Sequence, residues 1–274
     1  MNLLVLDSVT VFGADAHGRA AIAASHGGVY AAYLAAKAGL KGVILCDAGV
    51  GRERAGIGGL AYLDQLGMAA AAIGHRTARI GDGADCARRG VISFVNRRAE
   101  AAGVEPGMRA EEALSRLETD DLSSCATPPP LSETRHVVSE AQGRGVNVIA
   151  LDSVSLVKGE DAGHIVLTGS HGGLLGGRAA AALKVDAFAA VFNDADRGID
   201  DAGIGRLPAL DQRGIAAACV SAWSARIGDG LSIYHDGFIS AVNARAAQCG
   251  GEIGLSAAEF VARMVAARLK EFGE

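Results

Sequence analysis

The sequence predicts an α/β protein of two tandem homologous three-layer α/β/α units, each built on a mainly parallel sheet, that pack together as a pseudo-twofold pair. Three observations predict this fold class: the chain repeats itself internally, short apolar runs alternate with alanine-rich stretches, and the composition is aliphatic. Of 274 residues, 50% are hydrophobic and only 4% are aromatic, which is typical of a layered α/β core. A chain of this length most often holds two domains.

The internal repeat is the strongest of these observations. Residues 42–103 align with residues 189–250 without a gap, and 29 of the 62 positions are identical. Before this block, residues 6–9 (Leu-Asp-Ser-Val) match residues 151–154, and residues 25–28 (Ser-His-Gly-Gly) match residues 170–173. The identities fall on Asp, Asn, Arg, His and Gly as well as on Ala. We infer a duplication whose two products pair as a gene-fused homodimer would.

Within each copy, apolar and alanine-rich segments alternate. Short apolar runs such as residues 43–45 and 165–168 predict buried strands, and residues 29–38 and 177–183 predict helices. This order predicts parallel strands joined by helical crossovers. We place the first unit at residues 1–118, a linker at 119–146 and the second unit at 147–274, because three consecutive prolines at 128–130 favour an extended segment.

The charge and composition of the chain indicate which kinds of molecule it binds. The net charge is −5 with no basic run, which argues against nucleic-acid or anionic-membrane partners. No signal peptide and no apolar window of about 18 residues is apparent. We therefore expect a cytoplasmic protein that binds a small-molecule substrate, and the paired architecture is compatible with a homo-oligomer. The five cysteines are widely spaced and form no Cys-x-x-Cys pair, so neither a disulfide framework nor a structural zinc site is indicated.

The repeated Ser-His-Gly-Gly element is the first candidate site. In both copies it follows a predicted strand and precedes a predicted helix, the position where ligands bind in open parallel sheets. Two glycines at such a turn let backbone N–H groups approach an anion. The alternative is a tight turn in which the serine caps a helix.

A second set of polar residues is also kept in both copies after strands. It comprises Asp47, Arg79 and Asp82 in the first copy and Asp194, Arg226 and Asp229 in the second. The arginines would either bind a substrate carboxylate bidentately or pair with a neighbouring aspartate. No dense His/Asp spacing supports a metal site, so we expect no metal and no cofactor. His75 and Trp223 have unlike residues at the matched position and are candidates for specificity.

The first copy also resembles a known family. Residues 25–27 (Ser-His-Gly) are followed by a strand that ends in Cys46-Asp47-Ala48-Gly49 and then by a glycine-rich turn at 55–60. This order resembles that of caspase-like cysteine peptidases of the CHAT branch, over about 60 residues per half. The resemblance implies that Cys46 is a nucleophile and His26 its base. The second copy has Asn193 in place of Cys46, and the alternative for Cys46 is a buried residue at a strand end.

These observations together predict a hydrolase that cleaves an amide-type C–N bond of a small polar molecule bearing a carboxylate or amide. The catalytic candidates are His26, Cys46, Ser170 and His171. The substrate-binding candidates are Ser25, Gly27, Gly28, Asp47, Arg79, Asp82, Gly172, Gly173, Asp194, Arg226 and Asp229. Two alternatives stay open: an isomerase or lyase that uses the same His/Asp set, and a metabolite-binding protein without catalysis.

Overall fold

The computed structural model describes residues 3–119, 126–140 and 145–271. Five strands form the sheet of the first unit: β1 (Leu4–Leu6), β2 (Ala20–His26), β3 (Gly42–Cys46), β4 (Ala69–Ile73) and β5 (Ile92–Val95). They lie in sequence order, β1 to β4 are parallel, and β5 is antiparallel to β4. Five helices accompany them: α1 (Val29–Lys37), α2 (Gly58–Gln65), α3 (Gly83–Arg89), α4 (Arg97–Ala101) and α5 (Ala110–Thr119).

The second unit repeats this plan with one additional strand. Its strands are β6 (Arg135–Ser139), β7 (Val148–Leu151), β8 (Ile165–His171), β9 (Ala189–Asn193), β10 (Ala216–Val220) and β11 (Ile239–Val242). β7 to β10 are parallel, and the two edge strands are antiparallel to their neighbours. Its helices are α6 (Arg206–Asp211), α7 (Gly230–Asp236), α8 (Ala244–Gln248) and α9 (Ala257–Glu271).

Each sheet is covered on both faces, which confirms the predicted three-layer units. In the first unit, α1 and α2 pack on one face and α3, α4 and α5 on the other. In the second unit, α6 packs on one face and α7, α8 and α9 on the other. Alternate side chains of each strand enter opposite cores, as the two-residue period of a strand requires. The small aliphatic residues of the sequence therefore fill four apolar layers.

The two units contact each other through matched backbone hydrogen bonds. The Arg52 amide donates to the Ala222 carbonyl at 2.8 Å, and the Ile199 amide donates to the His75 carbonyl at 2.8 Å. The duplication relates these two bonds, since residue 52 matches 199 and residue 75 matches 222. The units therefore meet about a pseudo-twofold axis, as predicted.

Two details differ from the sequence prediction. Residues 177–183 do not form a helix: they contain parts of two short 3-10 turns, Leu175–Gly177 and Ala179–Ala181. Gly176 and Gly177 have φ values of 57° and 67°, a left-handed conformation that interrupts a right-handed helix. The expected linker is also partly structured, because β6 lies within it and pairs with β7. Residues 120–125 and 141–144 of that linker lie outside the described residues.

Candidate functional site

The two Ser-His-Gly-Gly elements meet at the contact between the units. His26 ends β2 and His171 ends β8. A Cβ built on Gly228 of the second unit would lie 3.4 Å from Cε1 of His26, and one built on Gly81 of the first unit would lie 3.4 Å from Cε1 of His171. Both imidazoles line one cavity of about 480 Å³. The structure thus brings both copies of the predicted element to a single site.

Backbone hydrogen bonds fix the tautomer of both histidines. Nδ1 of His26 accepts from the Gly28 amide at 3.2 Å, and Nδ1 of His171 accepts from the Gly173 amide at 3.1 Å. Because a neutral imidazole has one donor and one acceptor nitrogen, the proton lies on Nε2 in each ring. A Cβ on Gly28 would come within 2.7 Å of Nδ1 of His26. Glycine is therefore needed for this close approach.

Burial keeps both imidazoles neutral. It lowers the pKa of His26 to about 4. The pKa of His171 is held well below its usual value by burial and, secondarily, by the charge of Arg206. At neutral pH both side chains are Nε2–H hydrogen-bond donors rather than cations or bases. Two such donors, one from each copy, can polarise a carbonyl or stabilise an oxyanion.

The glycine amides have a different role from the one predicted. The Gly27 amide donates to the Cys46 carbonyl at 2.7 Å, and the Gly172 amide donates to the Asn193 carbonyl at 2.8 Å. The amides of Gly28 and Gly173 are bonded to the histidines. All four N–H groups therefore have protein partners in this structure, and while these bonds hold they are not free to bind a substrate anion as the sequence analysis predicted. The imidazole N–H groups are the donors at this site.

The two serines hold neighbouring loops. Oγ of Ser25 accepts from the Val9 amide at 3.1 Å, and Oγ of Ser170 accepts from the Val154 amide at 2.9 Å. Ser25 thus fixes the 3-10 turn that follows β1, and Ser170 fixes the 3-10 turn that follows β7. Neither caps the segment after its own strand. Both line the cavity, but among the described residues neither hydroxyl is hydrogen-bonded to a histidine.

Glu133 is a cavity residue that the sequence did not reveal. Burial, and secondarily the charge of Asp152, raise its pKa to about 7. Oδ2 of Asp152 accepts from the amide and the hydroxyl of Thr134 at 2.6 and 2.7 Å, and so fixes the segment that carries Glu133. Burial and, secondarily, the charge of Glu133 raise the pKa of Tyr30, so the side chains of Glu133 and Tyr30 are near each other. A carboxyl group with a pKa near 7 suits general acid and base catalysis.

Glu133 was missed because it lies in the expected linker and has no counterpart in the first copy. The candidate residues came from the repeated elements, from unlike residues at matched positions and from the caspase-like motif, and none of these signals includes a residue of the expected linker. The proline run in the same segment indicated an extended connection. In the structure, Glu133 of this segment lines the cavity.

Arg206 forms part of the inner wall of the cavity. It begins α6, is 2% exposed, and its guanidinium carbon lies 5.3 Å from the centroid of the Phe192 ring. Burial lowers its pKa to about 10, so it stays a cation at neutral pH. The matched residue of the first copy is Gly59. Like Glu133, Arg206 was invisible to an argument based on repeated residues.

The predicted arginines pair with carboxylates at the contact between the units. Nη2 of Arg79 lies 2.8 Å from Asp200, and Nη2 of Arg226 lies 2.9 Å from Asp229. Arg226 lines a neighbouring cavity of about 410 Å³, which shares His26 and Glu133 with the main one. Arg79 lines a smaller cavity on the other side. Neither arginine reaches the main cavity.

The predicted aspartates serve local structure. Asp82 and Asp229 cap α3 and α7 by accepting from the amides of Asp85 and Ser232. Asp47 accepts from Nδ1 of His75 at 2.9 Å, and the second imidazole nitrogen of His75 lies 3.0 Å from Asp196 of the other unit. Asp194 accepts from the amides of Ala222 and Asp196 at 2.8 and 2.9 Å. These four aspartates do not line the main cavity.

Two candidates for specificity also lie at this contact. Nε1 of Trp223 donates to Asp196 at 3.2 Å, the carboxylate that His75 contacts. Neither side chain lines the main cavity. The difference between the two copies at these positions therefore affects the contact between the units and not the lining of the main cavity.

Cys46 belongs to the core. It is 2% exposed, packs in the layer beneath α3, and its Sγ lies 3.6 Å from Sγ of Cys86. The hydrogen bond with Cys86 and burial both raise the pKa of the thiol, which disfavours a thiolate. Cys46 does not line the main cavity. The geometry is that of the buried strand-end residue that was the alternative.

Searches found no family model, no curated protein and no solved structure that matches this chain. Within the described residues, no group of three or more His, Cys, Asp or Glu side chains could hold a metal ion. None of the described helices is both long and apolar enough to cross a membrane.

Proposed function

We propose that this protein is a hydrolase that cleaves an amide-type C–N bond of a small molecule in the main cavity. The observation that carries the proposal is the pair of neutral histidines, His26 and His171, which both line one cavity and carry their proton on Nε2. Glu133, with a pKa near 7, lines the same cavity. Together they supply two oxyanion donors and one acid-base group, the minimum set for addition of water to a carbonyl.

The proposed reaction runs in two steps. In the first, ionised Glu133 takes a proton from water while the water oxygen attacks the amide carbon, and the Nε2–H groups of His26 and His171 stabilise the oxyanion. In the second, protonated Glu133 gives that proton to the leaving nitrogen as the C–N bond breaks. One water is consumed, and an acid and an amine are formed. Cys46 has no part in this scheme.

A different reaction uses the same groups. Glu133 could remove a proton from the carbon next to a carbonyl, and the two imidazole donors would stabilise the enolate, giving an isomerase or a lyase. The specific observation in its favour is that Glu133, with a pKa near 7, lines the same cavity as both histidines. Deuterium separates the two reactions: proton abstraction in heavy water labels the recovered substrate, whereas hydrolysis releases ammonia or an amine without labelling.

The test is turnover of a panel of small amido acids, namely malonamate, succinamate and glutaramate, followed by ammonia release. Replacing His171 by Ala should lower kcat about 100-fold to 1,000-fold, the usual effect of removing one oxyanion donor. Glu133→Gln should lower it about 100-fold or more. His136→Gln is the matched control, because His136 is exposed on β6 and does not line the cavity. Binding of the amido acids without turnover would contradict catalysis and favour the metabolite-binding alternative.

A further inference from the structure

The guanidinium of Arg206 is fixed in place by the protein. One face lies over the Phe192 ring at 5.3 Å. Nη1 donates to the carbonyls of Ala181 and Ala182, the first at 3.0 Å. These carbonyls belong to the loop that replaces the predicted helix of the second copy. The contacts use one face and one nitrogen of the group, and they set its plane and direction.

The opposite edge of the guanidinium lacks a protein partner. Among the residues that the structure describes, Nε is buried without a hydrogen bond, Nη2 has none, and no carboxylate forms an ion pair with Arg206. Nε–H and Nη2–H are parallel donors with the spacing of the two oxygens of a carboxylate. A buried cation without a counterion is unfavourable. An anion bound at this edge would compensate it.

The duplication shows that this arginine is a feature of one copy alone. A Cβ on the matched Gly59 would lie 2.6 Å from Cβ of Ala32, so α1 packs directly onto this glycine. An arginine at that position leaves no room for such a helix. In the second copy the loop at residues 175–183 has no such helix, and Arg206 lies beneath it. Arg206 therefore makes an otherwise symmetric pair of histidines asymmetric.

The charges around the cavity indicate the class of anion. Arg206 and Lys184 contribute positive charge to the wall of the cavity, and Glu133 and Asp152 contribute negative charge to it. A planar group with a single negative charge can accept hydrogen bonds from Nε–H and Nη2–H of Arg206 without strong repulsion from the carboxyl groups of Glu133 and Asp152. A carboxylate has this shape and charge, whereas a phosphate dianion does not.

We propose that the Nε and Nη2 edge of Arg206 binds the carboxylate of the substrate and so determines which way round it lies between His26 and His171. This inference rests on the proposed function and names the substrate class of the same site: an amido monocarboxylate. The carboxylate end is held in the second unit, and the carbonyl lies between the two imidazoles. An orienting contact of this kind acts on binding more than on the chemical step.

Two probes of similar size test the proposal by calorimetry. Succinamate carries one carboxylate and one amide, and succinamide carries two amides. The wild-type protein should bind succinamate at least about tenfold more tightly, as expected for charge-assisted hydrogen bonds. Arg206→Met should remove this preference, and Arg206→Lys should retain part of it, because lysine keeps the charge but not the fork.

Arg213→Met is the matched control for disturbance of the loop. Arg213 donates to the carbonyls of Leu183 and Val185 at 2.8 and 2.9 Å in the same loop and does not line the cavity. It should keep the preference for succinamate. A second measurement follows the Nε–H nuclear magnetic resonance signal of Arg206, which is assigned by its loss in Arg206→Lys. In the wild-type protein this signal should shift on addition of succinamate and not of succinamide.

The outcomes separate this inference from the proposed function. Equal binding of the two probes by wild-type protein, or an unchanged preference in Arg206→Met, overturns the role of Arg206 even if amido acids are hydrolysed. Binding of succinamate that depends on Arg206, without any turnover, supports the carboxylate site and contradicts the hydrolase. Where turnover is measured, Arg206→Met should raise KM at least about tenfold with a smaller change in kcat.

Discussion

The raised pKa of Glu133 makes the stability of the protein depend on pH in a way that one substitution removes. Below about pH 4.5 the carboxyl group is protonated in both the folded and the unfolded chain. Between pH 4.5 and about 7 the folded protein keeps a proton that the unfolded chain has lost. Over this range the free energy of unfolding therefore falls as the pH rises, and above about pH 7 this contribution is constant.

The size of the effect follows from the two pKa values. A rise from 4.5 to about 7 corresponds to roughly 3 kcal/mol at about 1.4 kcal/mol per pKa unit. Glu133 is only partly buried, so solvent screening reduces this to about 2 kcal/mol. Glu133→Gln has nearly the same shape and does not titrate. Relative to wild type, this variant should be equally stable at pH 4 and about 2 kcal/mol more stable at pH 8.

The assay is urea unfolding followed by circular dichroism at steps from pH 4 to pH 8. In the unfolded chain the imidazoles of His26 and His171 also titrate in this range. Both residues are present in both proteins, so the difference between the two curves isolates Glu133. Glu105→Gln is the control, because Glu105 is exposed and distant from the cavity walls. Parallel curves for wild type and Glu133→Gln would refute the reasoning, since they would mean that Glu133 ionises as easily in the folded protein as in the unfolded chain.

Three further predictions concern the contact between the units, the buried caps and the thiol. The hydrogen bond to Asp47 raises the pKa of His75, so the stability that His75 contributes should be complete below pH 6.5 and be lost as the pH rises through its folded pKa. The difference between the free energies of unfolding of wild type and His75→Ala at each pH measures this contribution; alanine is the residue at the matched position 222. Asn96→Ala and Asn243→Ala should each lower the free energy of unfolding by about 2 to 4 kcal/mol. Each amide side chain caps a helix and forms hydrogen bonds with two backbone groups at a neighbouring strand. A loss below about 0.5 kcal/mol in urea unfolding would contradict this. Cys46→Ala should leave turnover of the amido acids within about twofold of wild type, since its thiol is in the core; a loss above about 100-fold would restore the nucleophile predicted from the caspase-like resemblance.

The fold was predictable because the same pattern of strands and helices occurs in both copies of the duplicated sequence. Residues 165–168 and 43–45 lie in strands, and residues 29–37 form a helix, as their patterns indicated. The helix predicted at residues 177–183 failed where the two copies differ. Alanine propensity favoured a helix there, but two left-handed glycines and the Arg206 side chain beneath the loop prevent it. Local propensity gave way to tertiary packing.

The site was predictable only in its symmetric part. The histidines and serines of the repeated element line the cavity, as their place at strand ends suggested. The asymmetric residues Glu133 and Arg206 were not found, because the catalytic and binding residues were sought in the repeated elements and in the caspase-like motif, and neither includes them. Cys46 was placed correctly at a strand end, but the direction of its side chain depends on the alternation of the strand, which sends it into the core with Cys86.

The central claim is that the cavity between the units binds a carbonyl compound between His26 and His171. A crystal structure of the Glu133→Gln variant with succinamate tests this most directly, because turnover is slowed and the ligand should persist. We predict the amide oxygen within hydrogen-bond distance of Nε2 of both histidines and the carboxylate on the Nε and Nη2 edge of Arg206. Succinamate bound instead beside Arg79 or Arg226, with both imidazoles free of ligand, would contradict the account.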